Sequence, residues 1–164
     1  MIEAAQKERV VGWREWVALP DLEVERIKAK VDTGARTSAI HAFGIREMTR
    51  DGRPHVEFYL HPVQRLRRPQ IKCLAPIFDQ RYVRSSSGER QYRYIIRTTL
   101  RIGHRRRLIE LSLAQRDQMG FRLLIGRNAL PRGLLVDPNK SFLVSYGGLA
   151  NASRRLKAQQ EKSV

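Results

Sequence analysis

The sequence predicts an all-β domain, because apolar residues recur with the period of a strand and turn residues separate them. Lys28–Val31 alternates between lysine and an apolar residue, and Tyr94–Leu100 is rich in β-branched residues. Asp51-Gly52 and Gly103-His104 are turn signals between neighbouring apolar stretches. We therefore expect many short strands, packed in one ordered domain at residues 10–148.

Apolar stretches of strand length continue along most of the chain. The polar stretch Arg81–Arg93 interrupts them and is interpreted as a loop with Ser85–Gly88 at its tip. Arg127–Leu130 follows a short apolar run and is expected to begin a short helix. The other expected strands are Ser38–Phe43, Val56–Leu60, Ile71–Ile77, Leu108–Leu113, Leu123–Ile125, Leu134–Val136 and Phe142–Val144.

Length and charge limit the possible classes of protein. A chain of 164 residues with 41% hydrophobic residues suits a single domain with a sizeable core. The formal net charge of +16 favours polyanionic partners such as RNA, a ribosome surface or an acidic peptide; an arginine-rich genome would give the same count without a partner. The polar N-terminus, residues 1–9, and a basic tail, residues 149–164, are expected to be flexible.

The single cysteine and the absence of long apolar stretches indicate a compartment. Cys73 excludes an internal disulfide, and its apolar neighbours predict a buried strand position. No stretch reaches the roughly 20 apolar residues that a membrane-spanning helix needs. The first ten residues carry no apolar signal region. We therefore expect a cytoplasmic protein without a membrane partner.

The strongest candidate for chemistry lies at the end of the strand that contains Val31. Asp32-Thr33-Gly34-Ala35 supplies a carboxylate, a hydroxyl group and a glycine that allows a sharp turn without shielding the carboxylate. A second stretch, Leu123–Leu130, has to be considered with it, since a short apolar run there leads into Gly-Arg-Asn.

Together these stretches resemble the retropepsins, the single-domain aspartic proteases. Asp32–Ala35 is similar to their catalytic loop, and Leu124–Asn128 is similar to the segment that packs behind it. Over most of its length the chain resembles more closely a bacterial retropepsin-like family. That family is often labelled ATP-dependent zinc protease and is associated, sometimes by fusion, with ligases that add glutamate to a ribosomal protein. The resemblance implies a closed all-β barrel with one short helix after Leu-Ile-Gly-Arg-Asn.

The resemblance also implies a mechanism and a homodimer. An aspartic protease needs two facing carboxylates, and this chain has one Asp-Thr-Gly, so Asp32 of two subunits would meet at a two-fold axis. Thr33 would brace the two loops, and Gly34 would offer backbone contacts near the substrate. Ala35 would complete the loop, and Gly126 would let the second segment approach it closely.

One departure from viral retropepsins affects substrate binding. They carry an acidic residue after Asp-Thr-Gly-Ala that pairs with the arginine of Gly-Arg-Asn, but here Arg36 and Arg127 are both cationic. Both remain substrate-binding candidates, together with His41, for which a structural, hydrogen-bonded role is the favoured alternative. The hairpin around Arg50–Arg53 is the candidate for the flap that closes over substrate.

The sequence offers little for the zinc and ATP of the family label. It lacks a His-Glu-x-x-His pair and a phosphate loop, and its four histidines are scattered. We expect no metal and no cofactor, with a zinc-dependent protease as an alternative. The preferred hypothesis is an aspartic peptidase or amide hydrolase acting on a peptide or protein, such as a glutamate-modified tail. The other is a non-catalytic basic module that binds a ribosomal protein or a glutamate ligase.

Overall fold

The computed structural model describes residues 9–63, 66–85, 87–115 and 120–145, and twelve strands in this part of the chain form three sheets. The remaining regular structure there consists of two three-residue 3-10 turns, so the all-β prediction is confirmed. The strands are β1 (Val10–Gly12), β2 (Arg14–Leu19), β3 (Val24–Asp32), β4 (Ser38–His41), β5 (Phe43–Arg50), β6 (Arg53–Leu60), β7 (Ile71–Pro76), β8 (Asp79–Arg84), β9 (Arg90–Ile102), β10 (Arg105–Ala114), β11 (Leu123–Gly126) and β12 (Leu135–Asp137).

The main sheet curls around the core without closing fully. Its seven strands follow the order β10-β4-β11-β3-β2-β9-β8, and β10 pairs with β9 as well. The seam between β2 and β9 rests on one paired position, Ala18 with Arg101. At the same place the register of β2 against β3 shifts between Val17 and Leu19. The prediction of a closed barrel is therefore wrong at this seam, where the closure is incomplete.

A parallel pairing fixes the position of the candidate site. β11 lies beside β3 with Leu123 opposite Ala29 and Gly126 opposite Asp32. On its other side β11 pairs with β4 in the antiparallel direction. The two stretches that the sequence singled out therefore end side by side, although 94 positions separate Asp32 from Gly126.

The alternation in β3 explains which side chains face the site. Ala29 and Val31 are buried in the core, whereas Lys30 between them is exposed. Successive side chains of a strand point to opposite faces, so Lys30 and Asp32 share the face away from the core. Burial of side chains such as Val31 contributes roughly 1.5–3 kcal/mol each and fixes this orientation.

The chain between the two stretches contains an additional three-stranded sheet. β6 is its central strand, flanked by β5 and β7. Val56, Phe58 and Leu60 alternate along β6 and are fully buried in the same core as the main sheet. Cys73 on β7 is buried as predicted, and its burial raises the thiol pKa to about 11. This sheet accounts for part of the long gap between Asp32 and Gly126.

Two expected local structures are wrong. Arg81–Arg93 is not a loop, because β8 and the start of β9 form a hairpin in which Tyr82 faces Tyr92. The predicted strand Phe142–Val144 is absent, because the Val144 N–H binds the Glu15 carboxylate and Phe142 has a left-handed φ of 56°.

The predicted short helix after Leu-Ile-Gly-Arg-Asn is a single 3-10 turn, Arg127–Ala129. The Leu130 N–H binds the Arg127 carbonyl at 3.2 Å, and the backbone of Leu130 is already extended. Pro131 follows directly, and a residue before proline is biased away from helical geometry.

Some expectations fall outside the described residues. The flexible N-terminus was assigned to residues 1–9, of which 1–8 are not described, and the basic tail at 149–164 and the last residues of the 10–148 domain also lie outside. Within the described ranges, no helix is long and apolar enough to cross a membrane.

Candidate active site

Asp32 ends β3 in a tight turn that leaves its carboxylate accessible. The Gly34 N–H donates to Asp32 Oδ1 at 3.1 Å, and the Ala35 N–H donates to the Asp32 carbonyl at 3.2 Å. Such side-chain-to-backbone bonds are the usual reason for aspartate at the start of a turn. Asp32 is half-buried, Ala35 is half-buried, and Thr33 and Gly34 are exposed.

The loop after Asp32 is held from behind by the end of β11. The Arg127 N–H donates to the Ala35 carbonyl at 2.8 Å, and the Asn128 N–H donates to the Arg36 carbonyl at 3.1 Å. A Cβ at Gly126 would lie 2.7 Å from the Thr37 carbonyl carbon, so the two segments approach this closely only because Gly126 has no side chain. The loop is therefore positioned by backbone contacts.

Arg127 adds a charged contact to the same loop. Its Nη1 donates to the Gly34 carbonyl at 3.2 Å and to the Thr33 carbonyl at 3.5 Å. This contact occupies the guanidinium of a residue that the sequence suggested for substrate binding. Arg36, the other such arginine, is exposed and contributes its carbonyl to Asn128.

An open cavity of about 450 Å³ lies on the exposed side of Asp32. Asp32 is the only carboxylate among the described residues that line it, whereas three lining residues are cationic: Lys30, Arg84 and Arg93. The rest of its wall is formed by Gly34 and Ala35 of the Asp32–Ala35 loop, by Thr37 and Ala39, by Val83 and Ser85, and by Gly120, Phe121 and Leu124 on and before β11. A single carboxylate surrounded by cations is suited to an acidic ligand.

The hairpin next to this cavity is not the one that the sequence suggested as a flap. Val83, Arg84 and Ser85 from the β8–β9 hairpin line the cavity, whereas Arg50–Arg53 at the β5–β6 turn do not. At the hairpin tip the Ser85 N–H binds the Glu89 carbonyl at 2.8 Å. The β8–β9 hairpin, which forms part of the cavity wall, is therefore better placed than the Arg50–Arg53 turn to act as a flap, and the flap itself stays a prediction.

His41 lies away from the cavity. It is 3% exposed, and its ring stacks with His61 and Phe43 at centroid distances of 6.0 and 6.3 Å. The structure therefore does not bring His41 together with Asp32 in the cavity lining, which fits the structural alternative. In the described part of the chain, no group of three or more His, Cys, Asp or Glu side chains is arranged to hold a metal ion.

Sequence reasoning missed the three cationic residues of the cavity lining, Lys30, Arg84 and Arg93. Lys30 precedes Asp32 by two positions in a strand, so a shared face was available as a signal. Arg93 lay in the stretch interpreted as a loop, and its place beside Asp32 depends on long-range strand pairing. No local pattern could have identified it.

The described fold and the Asp-Thr-Gly loop define a retropepsin-like protein. The crystal structure of Lpg0085, a protein with unknown function from Legionella pneumophila, matches with a TM-score of 0.65 and 25% identity, covering 81% of this chain and 95% of that chain. A family model described as RimB-like, retropepsin-like aspartic endopeptidase RimB, matches residues 10–145. The chain belongs to this RimB-like family.

Relatives of known name add a second association. A protein from Shewanella pealeana is 45% identical over 139 residues, which is 85% of this chain and 30% of that protein. One from Parasynechococcus marenigrum is 45% identical over 132 residues, 80% of this chain and 28% of that protein. Both are named "Probable alpha-L-glutamate ligase". The chain thus spans under a third of the length of these relatives.

Proposed function

We propose that this protein is an aspartic endopeptidase whose dyad consists of Asp32 from two subunits of a homodimer. The observation that carries the proposal is the accessible Asp32 carboxylate. It is the only acidic group among the described residues that line the cavity, and the turn that holds it is supported by β11. Membership of a retropepsin-like aspartic endopeptidase family supports the same reading.

The proposed chemistry follows from two carboxylates about 3 Å apart, which cannot both ionise easily, so one keeps a proton. The ionised Asp32 takes a proton from a water molecule, and the resulting hydroxide attacks the peptide carbonyl carbon. The protonated Asp32 of the partner subunit donates a hydrogen bond to the carbonyl oxygen and stabilises its developing charge. The C–N bond then breaks as the leaving nitrogen receives a proton.

The remaining loop residues would support this dyad. Thr33 is exposed on the loop, where its hydroxyl would brace the loop of the partner subunit. Gly34 and Ala35 line the cavity and offer backbone groups to a substrate strand. Arg127 and Gly126 would keep the loop rigid, a requirement for a preorganised dyad.

The proposed substrate is an acidic peptide, such as a glutamate-modified protein tail. The cationic cavity lining and the net charge of +16 support it, since both attract polyanions. The relatives are named as probable alpha-L-glutamate ligases, and these names support glutamate as the modifying residue. A ribosomal protein or a ligase is the proposed partner on the same grounds, and the cytoplasm is the proposed location.

Peptide cleavage tests the proposal directly. Wild type and Asp32→Asn are incubated with a peptide mixture that includes glutamate-tailed peptides. The incubations cover acidic to neutral pH, each with and without a chelator, and the products are identified by mass spectrometry. Cleavage that resists the chelator and is lost in Asp32→Asn is expected, because the amide cannot accept the proton of water.

A matched control separates the site from the substitution. Asp51 occupies a solvent-exposed turn with φ 53°, a conformation that asparagine adopts readily, and it does not line the cavity. Asp51→Asn should therefore cleave like the wild type. Full activity in Asp32→Asn would contradict the proposed mechanism, and cleavage abolished by the chelator would favour a zinc-dependent protease.

A second candidate function, binding of single-stranded RNA, rests on the outer face of the β8–β9 hairpin. Tyr82 and Tyr92 face each other across the strands, 62% and 59% exposed, with ring centroids 5.0 Å apart. The Arg90 guanidinium lies 4.8 Å from the centre of the Tyr82 ring. Exposed aromatic rings combined with arginine are the usual stacking surface for unpaired bases.

The RNA candidate predicts a salt-sensitive complex that depends on the tyrosine pair. Combined Tyr82→Ala and Tyr92→Ala should weaken binding of a labelled single-stranded RNA about tenfold or more in fluorescence anisotropy, since base stacking is worth about 1–3 kcal/mol per base. Leu108→Ala, at an equally exposed apolar residue on β10, is the control and should change nothing. Equal binding by all three proteins would reject the candidate.

A further inference from the structure

A row of cations continues from the cavity along the outer face of β2 and β3. Lys30 lines the cavity, Lys28 lies two residues before it on β3, and Arg14 of β2 lies opposite Lys30 in the antiparallel pair. Ala29 between the two lysines is buried in the core, so both lysines leave the opposite face of the sheet, about 7 Å apart along the strand. Arg14 shares this face, because directly opposite residues of an antiparallel pair point to the same side. We name Arg14, Lys28 and Lys30 the basic track.

Aromatic rings hold two of these cations in place without neutralising them. The Lys28 ammonium lies 5.1 Å from the centre of the Trp16 ring, and Trp16 is opposite Lys28 across the strands. The Arg14 guanidinium lies 4.7 Å from the centre of the Trp13 ring and 5.1 Å from that of the Phe142 ring. A ring attracts a cation through its quadrupole and carries no net charge, so both side chains are positioned and both keep their positive charge.

The charges of the basic track have no acidic partner within the described part of the chain. No carboxylate there lies in ion-pair contact with Arg14, Lys28 or Lys30. The Arg14 Nε donates to the hydroxyl of Ser141 at 3.0 Å, which is a neutral group. Lys30 is exposed, and Arg14 and Lys28 are half-buried. The basic track is therefore a positively charged strip that begins beside Asp32 and leads away from it.

We propose that the basic track is an exosite that binds an acidic, extended segment of the peptide that Asp32 cleaves. This inference rests on the proposed peptidase function and adds a binding surface beyond the reacting bond. In an extended peptide, alternate side chains point to the same side at intervals of about 7 Å, which is the spacing of Lys28 and Lys30, so carboxylates on alternate residues match the two lysines. Because aromatic rings already position Lys28 and Arg14, little side-chain freedom is lost when a carboxylate binds.

Peptides with acidic tails of different length test the exosite. Every protein in the test carries Asp32→Asn, so that binding is measured without turnover, and fluorescence anisotropy follows labelled peptides that end in one or in six glutamates. We expect the longer tail to bind more tightly. Combined Arg14→Met and Lys28→Met should weaken binding of the six-glutamate peptide about tenfold and leave the one-glutamate peptide unchanged, since two accessible ion pairs are lost only with the long tail.

Two matched controls separate the position of the charges from net charge and from packing. Combined Arg68→Met and Arg132→Met removes the same charge from exposed positions that neither line the cavity nor lie on β2 or β3, and it should bind both peptides like its parent. Combined Arg14→Lys and Lys28→Arg keeps both charges and should keep most of the preference for the long tail. A purely structural role of the track would instead weaken both peptides equally and lower the midpoint of urea unfolding.

The same titrations distinguish failure of this inference from failure of the peptidase proposal. A preference for the long tail that is lost with Arg14→Met and Lys28→Met supports the exosite even if wild type cleaves nothing. Cleavage by wild type, together with equal affinity for both peptides or an affinity that the track substitutions do not change, would overturn the exosite and leave the peptidase intact. Labelled single-stranded RNA is titrated as well: if the track substitutions weaken RNA binding and not peptide binding, the surface serves a nucleic acid and the inference is wrong.

Discussion

At the scale of single residues, a sequence motif predicts some residues of the candidate site, whereas others are found only in the folded structure. Asp32 and Gly126 were predicted from a short motif, and the structure gives the physical reason for each: a turn that exposes the carboxylate and an approach that admits no Cβ. Arg93 could not be predicted, because its place in the cavity depends on how β9 pairs with its neighbours. Arg127 was predicted in the right segment, but it binds the loop carbonyls.

Glu15 is a buried residue whose titration should be visible in stability. It is fully buried, accepts the Val144 N–H at 2.8 Å and the Ser145 hydroxyl at 3.4 Å, and so fastens the end of the described chain to β2. Burial raises its pKa above the ordinary value of 4.5, against the opposing effect of these hydrogen bonds. The folded protein therefore binds this proton more tightly than the unfolded chain.

The sign of the pH effect follows from linkage. The stability contributed by Glu15 is greatest below pH 4.5 and is lost as the pH rises through the raised pKa. Glu15→Gln removes this titration, so the free energy of unfolding of wild type relative to Glu15→Gln should fall as the pH rises above 4.5 in urea titrations. If the free energy of unfolding changes with pH in the same way for both proteins, Glu15 is not a buried carboxyl group with a raised pKa.

At the scale of elements, the pairing of β11 with β3 organises the site. The strands with clear alternation or β-branched residues were predicted, as in β3 and β9, because burial of one face leaves that pattern in the sequence. The β8–β9 hairpin was missed because its exposed face is polar and its strands are stabilised by pairing with each other. Phe142–Val144 was predicted as a strand, but the Glu15 side chain occupies the backbone donor of Val144.

The contact between Gly126 at the end of β11 and the backbone of Arg36 and Thr37 predicts the effect of a single methyl group. Gly126→Ala would bring Cβ to 2.7 and 2.9 Å from the carbonyl carbons of Thr37 and Arg36, so the loop has to move. We expect the free energy of unfolding to fall by about 1–3 kcal/mol and peptide cleavage to fall with it. Urea unfolding and the cleavage assay measure both.

Gly120→Ala is the matched control for this substitution. Gly120 precedes β11, and a Cβ there meets no atom within 4 Å; because Gly120 lines the cavity, it serves as a control for stability alone. Its free energy of unfolding should stay within about 0.5 kcal/mol of wild type. If Gly126→Ala is as stable as Gly120→Ala, the close packing of the two segments does not stabilise the site.

At the scale of the whole molecule, the composition predicted the fold class and the net charge, but it could not predict the order in which the strands pair. The sequence could not show that the insert forms a separate sheet or that the main sheet remains incompletely closed between β2 and β9, because both depend on register and bulges rather than local pattern. The proposed homodimer rests on chemistry instead: one Asp-Thr-Gly per chain would supply half of a dyad.

The most direct test of the central claim mixes wild type with Asp32→Asn under conditions that allow subunits to exchange. If each active centre needs Asp32 from two chains, an equal mixture keeps about one quarter of the wild-type activity per total protein, because only wild-type pairs cleave. If one chain is sufficient, the mixture keeps about one half, which would contradict the shared dyad. Native mass spectrometry of the same mixture verifies that mixed dimers have formed.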